Sequence, residues 1–291
     1  MTLLELTPLH PAYPSRLRAM ARPPASLFTQ GGSLEAARVV AIVGSRAATP
    51  DAKAYAVELA GRLCGHGVVV VSGGALGIDT AAHEGALKAG GRTLVVAPTG
   101  PGHVFPDDNA DLFATVARGP GAMLWPFPGA LHPPSGFLIR NHILVGLADA
   151  VVVVQAGARS GALHASSCAR KLGRPLWVCP AQPWSEAFAG SRELLEGAPR
   201  TGARPLHSTD ALVAALGLPS RPAVATPPNV SLSPSEADVL RVTSATPLHV
   251  DAIASGAGVS AATAAVALLT LALENVVVEG PPGLFRRRDG R

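Results

Sequence analysis

The chain has 291 residues and a mass of 29.5 kDa, enough for one sizeable domain with a complete core and a small second one. Only 15% of residues are charged and the mean hydropathy is +0.30, which excludes an intrinsically disordered chain. The formal charge of +4 names no partner, but Lys occurs only at Lys53, Lys88 and Lys171, so the positive charge is nearly all Arg. Arg makes bidentate contacts to phosphate and stacks on bases. The coding bias of a GC-rich genome produces the same Arg, Ala, Gly and Pro content.

Three cysteines, Cys64, Cys168 and Cys179, are scattered without metal-like spacing, as expected of buried thiols in a reducing cytoplasm. No charged-then-apolar leader opens the chain, and no uncharged apolar run reaches the roughly 18 residues of a membrane span. The expectation is a soluble, cytoplasmic protein without a membrane partner.

Residues 1–32 carry Tyr13-Pro14, Pro23-Pro24, Leu27-Phe28 and Gly31-Gly32 and read as an irregular leader packed on a main domain of residues 33–216. That domain opens with Val39-Val40-Ala41-Ile42-Val43, an unbroken apolar run of the kind buried on both faces of a parallel sheet. The run enters Gly44-Ser45-Arg46, and a helical pattern follows over 52–64. A strand over 68–71 then runs into Ser72-Gly73-Gly74, with a helix over 79–89 and Asp79 as its N-cap. Next come a strand over 93–97 ending in Thr99-Gly100, a helix to about 117, and a short strand over 122–125. A Pro-rich surface loop over 126–136 leads into a helix from Phe137 to Leu147. The strand 150–154, the glycine-containing turn 157–161, a helix over 163–172 and a strand over 175–178 complete the pattern. Strands alternating with helices predict an α/β Rossmann-like, doubly wound parallel sheet, whose ligands bind beyond the carboxyl ends of the strands.

Residues 217–232, rich in Pro, Ser and Ala, read as a linker. In 233–291, Ser233-Pro234-Ser235-Glu236 fits a capping box before a first helix. Helices over 249–255 and 260–274, then a hairpin through Gly280-Pro281-Pro282-Gly283, predict a small winged-helix domain. Its third helix has no Lys or Arg, which argues against base reading in duplex DNA. The Arg286-Arg287-Arg288 run reads first as a solvated end.

Four strand ends thus offer small or glycine-rich turns to a ligand, and Arg46 stands where a phosphate would sit. An ion pair between Arg46 and a nearby Asp is the competing assignment. The first turn lacks the second and third glycines of the dinucleotide fingerprint and the Gly-Lys of a Walker A loop. Phe137 beside Arg140 and Asn141 reads equally as a base-stacking platform, worth about 1–3 kcal/mol per base, or as a hydrophobic staple. His83 reads as structural, and no His/Cys cluster or nucleophile elbow suggests a metal, a cofactor or a catalytic residue.

Together these stretches resemble the DNA-processing protein A family (DprA, also called Smf). The resemblance rests on Tyr13-Pro14 with Leu17, on Val40 to Arg46 with Thr49, and on Val71 to Asp79 with Ala82-His83. It continues through Phe105-Pro106 with Asn109, Phe137 with Arg140-Asn141, and Ser160-Gly161-Ala162-Leu163 with Gly173-Arg174. It implies a non-enzymatic recombination mediator that binds and protects single-stranded DNA, loads the RecA recombinase in natural transformation or repair, and dimerises through the Rossmann-like domain. Carried over by position, Gly44, Ser45 and Arg46 would hold a phosphate, with Ser72, Gly73 and Gly74 at the neighbouring strand end. Phe137 would stack a base, Arg140, Asn141, Ser160 and Gly161 would complete the pocket, and Lys171 is a further candidate. The chain departs from the family pattern at Pro50-Asp51, His142, Gln155 and His164-Ala165.

Two other classes compete. A related Rossmann-like phosphoribohydrolase of nucleoside monophosphates (the cytokinin-activating and lysine-decarboxylase-like proteins) would need an acid that Gln155 to Gly161 lacks. A transcription regulator acting through the winged helix would need cations on its third helix.

Overall fold

A computed structural model describes residues 2–129, 136–180, 185–219, 232–244, 246–273, 276–280 and 283–287. The expected Pro-rich loop falls outside these residues at 130–135, as do the expected linker at 220–231, Pro281-Pro282 of the turn, Glu274 and Arg288. The chain divides into two compact units, Met1–Ser220 and Arg221–Arg291.

In the first unit the leader supplies β1 (Leu4–Leu6), α1 (Ser15–Arg18) and β2 (Leu27–Gly31). The alternating region supplies β3 (Val39–Val43), α2 (Pro50–Gly65), β4 (Val69–Ser72), α3 (Ile78–Lys88) and β5 (Thr93–Val96). It continues with α4 (Ala110–Arg118), β6 (Ala122–Trp125), α5 (Gly136–Leu147), β7 (Ala150–Val153), α6 (Gly161–Lys171) and β8 (Leu176–Val178). Beyond it lie α7 (Ala189–Glu196), α8 (Ala198–Thr201), β9 (Ala203–Pro205) and α9 (Thr209–Ala215).

Nine strands form one sheet in the order β1-β2-β6-β5-β4-β3-β7-β8-β9, with β3 to β9 parallel. The apolar run of β3 is explained by burial on both faces. Val39, Ala41 and Val43 pack with α5 and α6 residues such as Leu144 and Ala165. Val40 and Ile42 pack with α2 and α3 residues such as Leu59 and Ala82. Strand order reverses between β3 and β7, the place where such sheets open a crevice at their carboxyl edge.

The leader is not irregular. Its β2 pairs antiparallel with β6, and β1 with β2, so it adds a mixed edge to the parallel sheet. Arg16 locks it down: Nε and Nη2 donate to the two Asp149 carboxylate oxygens at 3.0 and 2.9 Å, and Nη1 to the Ala36 carbonyl. Asp149 in turn accepts the Val39 N–H at the start of β3.

The second unit contains α10 (Pro234–Val242), β10 (Leu248–His249), α11 (Val250–Ala257), α12 (Ala261–Leu273), β11 (Val277–Glu279) and β12 (Leu284–Arg287). Its three strands are ordered β10-β12-β11 and its core is its own, built on Val239, Ile253, Leu268 and Leu271. The capping box forms as the sequence requires: Ser233 Oγ accepts the Glu236 N–H and Glu236 accepts the Ser233 N–H. Among the described residues no single helix is long and apolar enough to cross a membrane.

Candidate nucleic-acid interface

The turn after β3 is shaped by steric exclusion. A Cβ on Gly44 would lie 2.5 Å from Ile78 Cγ1 and 2.9 Å from the Gln155 carbonyl oxygen, so only glycine fits. Ser45 is then fixed on both sides: its N–H donates to the Gln155 carbonyl at 2.8 Å and its carbonyl accepts the Ile78 N–H at 3.2 Å. Anchored there, the chain projects Arg46 outwards. Its guanidinium is exposed and its Cζ lies 4.9 Å from the Phe137 ring centroid. Among the described residues no carboxylate lies within ion-pair distance of it, so the competing Asp pairing is not what the structure contains.

Around Arg46 opens a cleft of about 540 Å³. Gly44, Ser45 and Arg46 line one side, and Phe137, Arg140 and Asn141 of α5 the other. Gly157, Arg159 and Ser160 from the loop before α6, with Gly161 at its first turn, close it. Ser160 caps α6, its Oγ accepting the Ala162 N–H, so the start of a three-turn helix faces the opening. Phe137 is half-buried, held edge-on by Phe105 with centroids 5.9 Å apart and planes at 67°. The cleft therefore joins an exposed cation, an aromatic ring and amide-rich turns at the point of strand-order reversal.

Arg140 plays a different part from Arg46. It is 5% exposed, and its Nη1 lies 3.7 Å from Asp79 Oδ2. Its guanidinium fills the place of a Gly73 side chain: a Cβ there would lie 1.1 Å from Nη1. Burial pushes the Asp79 carboxyl above the usual carboxylate range, against the pull of Arg140, and lowers Arg140 against the pull of Asp79. A guanidinium starts so high that it remains a cation here. Its Cζ is 5.9 Å from the Phe137 centroid, so the buried pair braces the ring.

Asp79 is accordingly not the cap of α3. That position belongs to Gly77, at φ 85°, where a Cβ would meet the Ser45 and Arg46 carbonyl oxygens. Ser72, Gly73 and Gly74 are buried beneath the cleft and do not line it; Ser72 Oγ donates to the Ile42 carbonyl. The Thr99-Gly100 turn stands apart, with Gly100 against Gly129. Lys171 is exposed in the last turn of α6, away from Ser160, and does not line the cleft. Its charge reaches His142 and His164, whose pKa values are lowered first by burial and then by Lys171.

Two further residues matter here: Arg159, which the sequence reading passed over, and Gln155, which it noted only as a departure from the family pattern. Arg159, exposed on the cleft wall, adds a second accessible cation; its place in the turn 157–161 was signal enough to find it. Gln155 is fully buried, its Oε1 accepting the Thr49 N–H at 2.9 Å and its Nε2 donating to the Ala187 carbonyl at 3.2 Å. An amide does both at once, which a carboxylate in its place could not. His83 is structural: Nδ1 lies 2.7 Å from Thr93 Oγ1, and burial pushes its pKa down to about 3. Among the described residues no group of His, Cys, Asp and Glu is arranged to hold a metal.

Residues 5–217 match the family model of DNA recombination-mediator protein A, and residues 222–283 match that of the DprA winged helix domain. The putative DNA processing protein DprA of Mycobacterium tuberculosis is 39% identical over 183 residues, covering 62% of this chain and 46% of that protein. The DNA processing protein DprA of Bacillus subtilis is 34% identical over 187 residues, 63% of each. The chain thus spans less than two thirds of the length of these relatives. The DNA processing protein A structure from Streptococcus pneumoniae superposes with a TM-score of 0.67 at 31% identity, covering 73% of this chain and 74% of that one. That from Helicobacter pylori, solved for its single-stranded DNA binding mode, superposes at 0.65 with 28% identity, covering 74% and 95%.

Proposed function

Because this chain belongs to the DNA recombination-mediator protein A family, we propose that it binds single-stranded DNA in the cleft around Arg46 and acts as a recombination mediator. The observation that carries this reading is the exposed Arg46 guanidinium lying over Phe137, without a carboxylate partner among the described residues. One phosphate meets Arg46, the backbone amides that follow Ser45 and the start of α6, with Arg159 beside it. A base extends the pile already made by ring and guanidinium, a sequence-tolerant contact because every base has a π-face. Gly44, Asn141, Ser160 and Gly161 shape the walls; Ser72, Gly73, Gly74 and Arg140 act from beneath as positioning residues. Lys171, off the cleft, would meet the strand only further along.

The reading is of a binding protein without turnover. Asp79 is committed to Arg140, and His83 sits on the buried face of α3 with a neutral ring. Loading of RecA and pairing of two copies through the first unit belong to the same proposal, supported by the family resemblance.

The test is a fluorescence-anisotropy titration of labelled oligo(dT). Arg46→Ala should weaken binding about tenfold or more, the equivalent of about 1.4 kcal/mol, while circular dichroism stays that of the parent. Binding equal to the parent removes the site assignment, and release of base from AMP would replace the reading with a phosphoribohydrolase.

A further inference from the structure

A second cavity, of about 420 Å³, lies on the other side of the Ser45 to Thr49 turn. The first turns of α2 form one wall through Thr49, Ala52 and Tyr55; Val154 and Cys179, at the carboxyl ends of β7 and β8, form the floor. Phe188 and Leu206 close the sides, with His207 and the exposed Asp51 at the rim. The walls are mostly apolar with a few convergent polar groups, the usual make-up of a small-ligand pocket. Those polar groups are the Thr49 and Ser185 hydroxyls, the His207 ring and the Tyr55 hydroxyl, which hydrogen-bonds to the Cys179 thiol. Burial pushes that thiol up to about 12, so it stays protonated and serves as a wall rather than a nucleophile.

Charge selects the ligand class. Among the described residues the lining contains no Lys or Arg, and Asp51 stands at the rim, so a phosphate is disfavoured inside. A neutral, planar heteroaromatic fits the Tyr55 and Phe188 rings and the scattered donors and acceptors. We propose that this cavity takes a nucleobase, adjacent to the phosphate held at Arg46.

The inference rests on the DNA-binding reading above. It follows from topology, because two nucleotide subsites on either side of a strand-order reversal are what such a sheet edge offers. Arg46 and Thr49 are three residues apart, a span of at most about 10 Å. Gln155 joins the two sites physically: its backbone carbonyl accepts the Ser45 N–H at the cleft, its Oε1 accepts the Thr49 N–H, and its Nε2 holds the Ala187 carbonyl next to Phe188.

The experiment uses the full chain with two probes: oligo(dT) carrying one internal 2-aminopurine, and free 2-aminopurine riboside. Stacking in the cavity should quench the fluorescence of a bound probe. Ala52→Leu, which fills the cavity from the α2 wall, should abolish that quenching and weaken oligonucleotide binding about fivefold or more, the loss of one stacked base. Phe188→Ala should do the same by removing a wall, which guards against a folding defect in either variant alone. Oligonucleotide quenching that Ala52→Leu and Phe188→Ala both remove supports a base of the bound strand as occupant, whereas quenching that both variants keep belongs to the Phe137 pile; riboside quenching alone, lost in both variants, supports a free nucleoside of the same chemistry. Probes that stay bright in the parent, or are quenched equally in both variants, overturn the proposal. If oligo(dT) binds in an Arg46-dependent way while both probes stay bright, the cavity assignment falls and the DNA-binding reading stands. If oligo(dT) does not bind at all, that reading falls and the riboside still decides the cavity.

Discussion

Arg46 and Arg140 both bring a guanidinium to within 6 Å of the Phe137 ring, at 4.9 and 5.9 Å from its centroid, yet solvent access gives them opposite duties. The exposed guanidinium can meet a new anion without breaking an ion pair among the described residues and while keeping part of its hydration. The buried one is held by Asp79 and stands where Gly73 has no side chain, so losing either partner leaves a charge stranded in the core. Arg46 follows Gly44-Ser45 and Arg140 follows Leu138-Ile139, and neither context says which guanidinium is buried; the distinction comes from α5 crossing over the loop after β4. His83 is legible for the opposite reason, because an isolated His on an apolar helix face must be buried. Its ring is neutral in the folded protein, with a pKa near 3, against about 6.5 when unfolded. The unfolded chain therefore binds a proton that the folded one refuses as pH falls below about 6.5. Its contribution is complete above that pH and is lost progressively from there towards pH 3. Urea unfolding between pH 4 and 7 should show stability rising with pH, and His83→Gln should flatten that slope. An unchanged slope would mean that other groups carry it.

The strands β3 to β8 are legible as elements because each is covered on both faces and reads as a short apolar run, most of them ending near Gly, Pro or Ser. The leader is not legible in this way. Leu27-Phe28-Thr29-Gln30 becomes a strand only through its register on β6, nearly a hundred residues away, and no local pattern encodes that pairing. The stretch from 185 to 216 hides short helices and β9 for the same reason, since they are set by packing against β8 and α2 rather than by their own periodicity. Gln155 shows how elements are joined at the site. Placed at the end of β7, it holds the N-terminus of α2 through Thr49 and the segment before α7 through Ala187. Gln155→Leu keeps roughly the volume but strands a buried N–H and a buried carbonyl, which should cost about 2–4 kcal/mol in chemical unfolding. It should also loosen oligo(dT) binding, because the lost Oε1 bond frees Thr49 at the far end of the Ser45 turn, while the backbone carbonyl that holds the Ser45 N–H remains. A fully stable variant with parental affinity would show that the turn holds itself.

Across the whole molecule, charge is distributed in a way that separates the two units by task. The first unit presents Arg46 and Arg159 on one cleft, whereas α12 of the second exposes Val266 and Leu269 at 66% and 62% and carries no cation from 261 to 273. A helix so lacking in charge has nothing with which to neutralise phosphates or read guanine edges. If the cleft supplies the DNA contacts, affinity for oligo(dT) must fall linearly with salt on logarithmic axes, with a slope near −0.7 for each phosphate neutralised. Arg46→Ala should make that slope shallower by about 0.7, one phosphate's worth, and not merely shift the line. Removing 221–291, a unit with its own core, should leave the slope unchanged. A slope that drops on that deletion but not on Arg46→Ala would move the phosphate contacts to the winged helix and to Arg286 and Arg287, the basic residues of its last strand.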